Sequence, residues 1–262
     1  MDNLQKTQLH FSDPEGITKI GSENTLSITV REEFRSIKRE ILKCAFHAES
    51  LAEQNDILLE PKNRIMVTSI TDQAGKTFIS YNLARSISDE QDKNILLVDA
   101  DVINSTLSKT TEPQPNEGLI DYLSFSEADI SERIYHTDRE NMRFMPTGQD
   151  HFLANELFSS DKMSVLMDEF RDRYPDRLVI FDAPSLLDVN ESVSLSAHMD
   201  QIIIIVEEGK TKERDIKTVL SRLPKGIRVH FILNKTLHGN EWRGHRREAP
   251  QVSGSHGSSA LL

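Results

Sequence analysis

Apolar residues follow two rhythms along this chain. From Val30 they recur at Phe34, Ile37, Ile41, Cys44, Ala45, Ala48 and Leu51. That spacing puts one side of an α-helix into a core. The opposite face carries Glu32, Glu33, Arg35, Lys38, Arg39, Glu40 and Lys43. Short aliphatic runs follow at Ile65–Val67, Ile95–Val98, Leu178–Phe181, Ile202–Val206 and Val229–Leu233. Helical patterns alternate with them at Thr77–Ser88, Met163–Phe170 and Ile216–Leu223. Continuous aliphatic strands alternating with helices indicate a parallel sheet covered on both sides. Met142–Met145 reads as a further short strand and Gly118–Leu123 as a short helix, while Ser105–Asn116, polar with two prolines, reads as a loop. The pattern predicts an α/β fold, a mostly parallel sheet with helices on both faces.

The ends lack either rhythm. Residues 1–28 are polar and read as a flexible arm. Residues 29–236 form one domain opening with the long helix, and residues 237–262, rich in Gly, Ser and His, read as a disordered tail. Of 262 residues, 37% are hydrophobic and 28% charged, enough for one sizeable core. The net charge of −11 argues against a nucleic-acid surface. One cysteine, Cys44, rules out an intrachain disulfide framework and fits a reducing compartment. The N-terminus has no apolar signal-peptide core. The longest purely aliphatic run, Ile202–Val206, falls far short of the roughly 20 residues of a membrane span. A cytoplasmic chain is expected, with any membrane association made through a partner.

Candidate chemistry concentrates at the strand ends, where an open parallel sheet binds ligands. The first core strand leads through Ile70-Thr71-Asp72-Gln73-Ala74 to Gly75-Lys76-Thr77 and then a helix. Strand, Gly-Lys-Thr and helix make the layout of a phosphate-binding loop, in which N-terminal N–H groups face an anion. Gly75 lets the backbone approach a phosphate, Lys76 reaches the β- and γ-phosphates, and the Thr77 hydroxyl ligates magnesium. The expected binding segment is Asp72, Gln73, Ala74, Gly75, Lys76, Thr77 and Phe78. Ile70 stands where G-x-x-x-x-G-K-[ST] has its first glycine. Asp99 and Asp101 follow the second core strand, Asp182 follows another, and Asn234 ends the last. Asp182 suits a carboxylate that orders the water shell of magnesium. Asp99 and Asp101, two apart in an extended segment, can face one side, where a cation would relieve their repulsion. The nine histidines show no metal-ligand spacing, and no serine lies in a Gly-x-Ser-x-Gly elbow.

The segments VTSITDQAGKT, NILLVDAD, RLVIFDAP and ILNK resemble the bacterial tyrosine kinases of exopolysaccharide loci, a branch of the MinD/ParA-like P-loop ATPases. MRFMPTGQ, NELFSSDKM and RYPDRLVIFDAPSLL are most similar to the exosortase-associated autokinases among them. The resemblance runs from about Arg31 to Lys235. It implies transfer of the γ-phosphoryl group of ATP–magnesium to tyrosine. Asp99 would orient or deprotonate the hydroxyl with Asp101 beside it; Thr77, Asp99 and Asp182 would form the metal site; Asn234 would contact adenine. It also implies self-association through Glu32, Arg35 and Lys38, which match an E-x-x-R-x-x-R helix with Lys in the last place, and a membrane polysaccharide co-polymerase as partner.

Three departures stand out. Asp72 puts a negative charge beside the phosphates, which weakens binding. Val102-Ile103-Asn104-Ser105 stand where the family commonly has basic residues and a proline. The family's tail carries a tyrosine cluster, whereas the last tyrosine here is Tyr174. Two rival readings follow: an ATP-binding regulatory scaffold without kinase turnover, and a MinD-like switch ATPase. The second lacks its signature lysine, since Thr71 occupies that place.

Overall fold

The computed structural model describes residues 8–11, 28–53, 62–125, 129–149, 153–173, 176–187, 189–236 and 258–261; at 28–29, 47–53 and 258–261 it describes the backbone alone. The chain runs β1 (Gln8–Phe11), α1 (Ile28–Glu53), β2 (Arg64–Ser69), α2 (Lys76–Ser88), β3 (Asn94–Asp99), α3 (Thr106–Lys109), β4 (Thr111–Glu112) and α4 (Leu119–Ser124). A 3₁₀ turn at Ile130–Arg133 precedes β5 (Tyr135–Thr137), β6 (Met142–Met145), α5 (Ala154–Phe158), α6 (Asp161–Arg173) and β7 (Arg177–Asp182). Then come α7 (Asn190–Ser196), β8 (Gln201–Glu207), α8 (Glu213–Arg222), β9 (Arg228–Asn234) and β10 (Ser258–Leu261).

Among the described residues, ten strands form one sheet in the order β10-β9-β8-β2-β7-β3-β6-β5-β1-β4. From β10 to β6 every pairing is parallel; β5 on β6 and β4 on β1 are antiparallel. The sheet is therefore mostly parallel, with its antiparallel pairs at one margin. Side-chain alternation divides the core into two layers. Ile65, Val67, Ile95, Leu97, Leu178, Ile180, Ile203 and Ile205 pack with Phe34, Ile37 and Ile41 of α1 and Ile79, Leu83 and Ile87 of α2. Met66, Leu96, Val98, Val179, Phe181, Ile202 and Ile204 pack on the other side with residues of α4 to α8. Both faces are covered, which is why these strands are aliphatic throughout.

The same alternation aims the chemistry. Asp99 lies two past Leu97 and Asp182 two past Ile180, so both belong to the α2 face. They are also register partners across β3 and β7. Two carboxylates thus meet directly opposite one another, beneath the start of α2.

Three expectations need correction. The arm contains β1, because Leu9 is fully buried and Phe11 packs on Tyr81 and Phe144 at ring-centroid distances of 4.9 and 5.1 Å. The tail contains β10, whose backbone pairs along Val229–Ile232 at the outer edge of β9; residues 237–257 lie outside the described residues. The predicted loop 105–116 holds α3 and β4, anchored by buried Leu107. Ala48 and Leu51, placed on the buried face of the first helix, also fall outside the described side chains.

Candidate active site

The loop between β2 and α2 turns back over the sheet through two left-handed residues, Gln73 (φ 60°) and Gly75 (φ 100°). Gly75 has a second reason to lack a side chain. A Cβ there would come within 2.3 Å of Asn234 Nδ2. That amide donates to the Ala74 carbonyl at 2.8 Å, and the neighbouring Lys235 ammonium donates to the Gln73 carbonyl at 2.7 Å. Lys235 also pairs with Glu207 at 3.4 Å. The end of β9 therefore holds the loop in shape, and the N–H groups of the first α2 turn are left pointing outward.

Lys76 is buried, with its ammonium 3.0 Å from both Asp72 Oδ1 and Asp101 Oδ2. Burial pulls its pKa down, but the Asp101 and Asp72 carboxylates outweigh that and hold it above the usual value. The Lys76 ammonium in turn, working against burial, keeps the Asp72 carboxyl below its usual range. Asp101 also shapes its own turn: Oδ1 accepts from the N–H groups of Ile103 and Asn104 at 3.3 and 3.0 Å.

Asp99 is fully buried and accepts from the Ser108 N–H and hydroxyl at 2.8 and 2.7 Å and from the Asp101 N–H at 3.2 Å. Burial still raises its pKa to about 6, the Ser108 bonds acting against it and the Asp101 charge with it. Asp182 is fully buried too, yet neither of its oxygens has a hydrogen-bond partner. Burial and the facing Asp99 carboxylate push it well above the carboxylate range, opposed by Thr77 and Lys76.

The structure thus gathers Asp72, Lys76, Thr77, Asp99, Asp101 and Asp182 at the start of α2 and the adjoining strand ends, with Asp72 and Asp101 on the Lys76 ammonium and Asn234 at the edge of the loop. Phe78 turns its ring toward Phe34 of α1, with centroids 6.1 Å apart, leaving only its main chain for a ligand. Lys38, expected at a subunit interface, pairs instead with Glu90 and donates to the Ser86 carbonyl of its own α2. Its side chain is largely covered because α1 lies flat on α2. Glu32 and Arg35 pair with each other and remain exposed.

Ser108, Thr147 and Lys235 escaped the sequence reading. The Thr147 hydroxyl donates to the Asp99 carbonyl at 3.1 Å and its N–H to Ser108 Oγ at 2.9 Å, so the two residues brace Asp99. A Ser nine residues past Asp99 carries no signal of its own, whereas Lys235 stands beside Asn234 in the quoted ILNK.

The donor set fits magnesium. An orphaned buried carboxylate opposite a second one, beside a Thr hydroxyl, matches an ion that takes a few protein oxygens and leaves the rest to phosphates and water. Among the described residues no three His, Cys, Asp or Glu side chains enclose a metal by themselves.

A parallel sheet with a Gly-Lys-Thr loop and carboxylates at adjoining strand ends defines a P-loop nucleotide-binding protein. Residues 64–236 match the AAA domain family, and the chain belongs to it. Tyrosine-protein kinase ptk of Acinetobacter johnsonii is 28% identical over 174 residues, which are 66% of this chain and 23% of that protein. The kinase domain of Escherichia coli tyrosine kinase ETK is 25% identical, with a TM-score of 0.59 over 72% of this chain and 74% of the domain. A ParA family ATPase from Chlorobium tepidum shares the fold, with a TM-score of 0.50, 18% identity, and coverage of 66% of this chain and 74% of its own. The chain is thus related to bacterial tyrosine kinases and has the MinD/ParA-like fold. It spans about a quarter of the length of the curated kinases it matches.

Proposed function

We propose that this chain is the ATP-binding catalytic part of a protein-tyrosine kinase of exopolysaccharide synthesis or export. The facing pair Asp99 and Asp182, set under the Gly75 loop, carries the reading. Thr77, Asp99 and Asp182 would hold magnesium, which when bound supplies neutralising charge across the β- and γ-phosphates. The main chain from Asp72 to Phe78 takes the phosphates, and Asn234 borders the adenine. Lys76 leaves Asp72 and Asp101 to meet the β- and γ-phosphate oxygens. Asp99 takes the phenolic proton as the tyrosine oxygen bonds to the γ-phosphorus. The bond from that phosphorus to the β–γ bridging oxygen breaks, and ADP departs with the electron pair. Catalysis of this kind rests on position and charge rather than on covalent chemistry.

The acceptor is a tyrosine of another protein or one ahead of residue 236 in this chain; of the described tyrosines, Tyr81 and Tyr122 are buried and the Tyr135 hydroxyl donates to the Glu117 carbonyl. A membrane polysaccharide co-polymerase, meeting this domain at the cytoplasmic face, is the partner implied by the kinship. Self-association would use Glu32 and Arg35. One observation favours a second reading, a regulatory ATP-binding scaffold: Asp72 occupies the lysine that the phosphates need. Labelled-ATP assays with the cytoplasmic segment of a co-polymerase separate the two. Label on tyrosine that disappears in Asp99→Asn supports the kinase. ATP binding without transfer under every condition refutes it and leaves the scaffold.

A further inference from the structure

Past β6 the chain turns through Pro146, Thr147, Gly148 and Gln149, none of them among the groups that would hold ATP or magnesium. The ladder between β3 and β6 pairs Val98 with Met145 and goes no further. The next residue, Pro146, has no N–H to continue it. The Asp99 carbonyl is met instead by a side chain, the Thr147 hydroxyl at 3.1 Å. The Thr147 N–H donates to Ser108 Oγ at 2.9 Å, and that hydroxyl donates to Asp99 Oδ2 at 2.7 Å. Buried Thr147 thus reaches Asp99 twice, directly at its main chain and through Ser108 at its carboxylate.

The turn is itself held from the far side. The Leu119 and Ile120 N–H groups, which open α4, donate to the Pro146 and Thr147 carbonyls at 2.8 and 2.9 Å. One oxygen of the buried Asp121 carboxylate accepts from the Gly118 and Gln149 N–H groups at 2.8 and 3.1 Å. The approach is close. A Cβ on Gly118 would fall 2.1 Å from the Pro146 carbonyl oxygen, and one on Gly148 2.0 Å from Asp121 Oδ2. A turn gripped this tightly by α4 has little room to drift. A threonine that served the fold alone would need only to satisfy its own groups, whereas Thr147 directs both its hydroxyl and its N–H at Asp99 and at the serine bound to Asp99.

We propose that Thr147 is a positioning residue: from the turn on α4 it fixes Asp99 where the carboxylate serves magnesium and the acceptor hydroxyl. The proposal rests on the role given to Asp99 above. Thr147 touches neither nucleotide nor acceptor. It acts through Asp99, and Asp121 acts through the turn.

The test uses the full chain with ATP, magnesium and the cytoplasmic segment of a co-polymerase as acceptor. Thr147→Val keeps the shape and removes the hydroxyl, and Thr147→Ser restores it. Thr137→Val is the control, since that buried hydroxyl on β5 donates to the Met142 carbonyl at 3.0 Å. Tm, kcat and the calorimetric affinity for ATP, with and without magnesium, are measured for each. Thr147→Val should lower kcat about tenfold and raise the magnesium requirement for ATP binding about tenfold, the low end of what losing an outer partner of a metal ligand costs. Affinity for ATP without magnesium should stay as in the wild type. Thr147→Ser should return kcat and the magnesium requirement close to wild type, and Thr137→Val should lower Tm alone. An unchanged kcat and magnesium requirement in Thr147→Val, a Thr147→Ser as impaired as Thr147→Val, or a loss of magnesium-free ATP affinity in step with kcat overturns the proposal and leaves the kinase reading standing. A wild type that binds ATP–magnesium but transfers nothing overturns the kinase reading, and the magnesium requirement of Thr147→Val then decides the proposal by itself.

Discussion

Replacing Asp182 by Asn should make the nucleotide-free protein more stable. Asp182 lies fully buried with both oxygens unpartnered, directly across from Asp99. Asp99 provides the scale. Even with three donors it is raised to about 6, which at neutral pH corresponds to a cost on the order of 3 kcal/mol. Burial and the facing Asp99 charge raise Asp182 as well, against Thr77 and Lys76, so a cost on the Asp99 scale is expected of it. The amide keeps the shape and removes the charge, but leaves one buried NH₂ unpaired at about 1 kcal/mol. The net gain is about 2 kcal/mol, or roughly 4–8 °C in Tm for a chain of this size. The sign with pH follows from linkage. Both carboxyls hold a proton in the folded state that the unfolded chain has already lost. Their contribution is complete below pH ~4 and is lost as pH rises through the folded values, near 6 for Asp99 and well above the usual carboxylate range for Asp182. The variant's advantage should therefore be largest at pH 7.5 and vanish below about 4. Urea titrations at pH 4, 5.5 and 7.5 measure it. ATP–magnesium should reverse the order by stabilising the wild type selectively, by about 2.7 kcal/mol at a hundredfold excess over Kd. A variant no more stable at pH 7.5, or equally stabilised at every pH, would show that Asp182 is not held as an uncompensated carboxyl.

Asp72→Asn should tighten ATP binding two- to fivefold by calorimetry, since the exposed half of the Lys76 clamp is worth about 0.5–1 kcal/mol; unchanged or weaker binding removes Asp72 as a competitor. Gly75→Ala should destabilise the fold by about 1–3 kcal/mol in denaturant, from its left-handed backbone and its collision with Asn234. Adding Asn234→Ala should recover the part due to collision, and no recovery would mean that the contact is slack. Lys38→Glu should lower the monomer's Tm because it faces Glu90, whereas Arg35→Glu should leave Tm unchanged and reduce the ATP-dependent mass in light scattering. The opposite pattern would put Lys38 at the subunit contact.

The core was legible because a sheet covered on both sides must be aliphatic on both sides, and five runs announced it. The strand ends were legible for the same reason: four of the five runs stop at an Asp, an Asn or the loop that leads to Gly-Lys-Thr, and Ile202–Val206 stops at Glu207. What the sequence concealed was whatever depends on distant pairing. β1 and β10 are four residues each, too short for a period, and exist because an edge strand offers unpaired N–H and C=O groups. α3 reads as loop because its four residues bury only Leu107. Ser108 became part of the site through the fold of that turn. Lys38 matched the charge expected of an assembly helix, but a charge pattern does not reveal which partner lies closest, and Glu90 of the same chain does.

The grip of β9 on the phosphate loop has a consequence for synthesis. The loop is written at positions 70–77, while the side chains that fix its shape, Asn234 and Lys235, stand 160 or more residues later. At translation speeds of about 5–20 residues per second, roughly 10–30 s separate the two on the ribosome. During that interval the nascent chain carries the whole Gly-Lys-Thr signature without the strand that holds it open. The shape of the loop is therefore completed late, with the last core strand, and an N-terminal fragment ending short of residue 234 lacks both contacts that fix it.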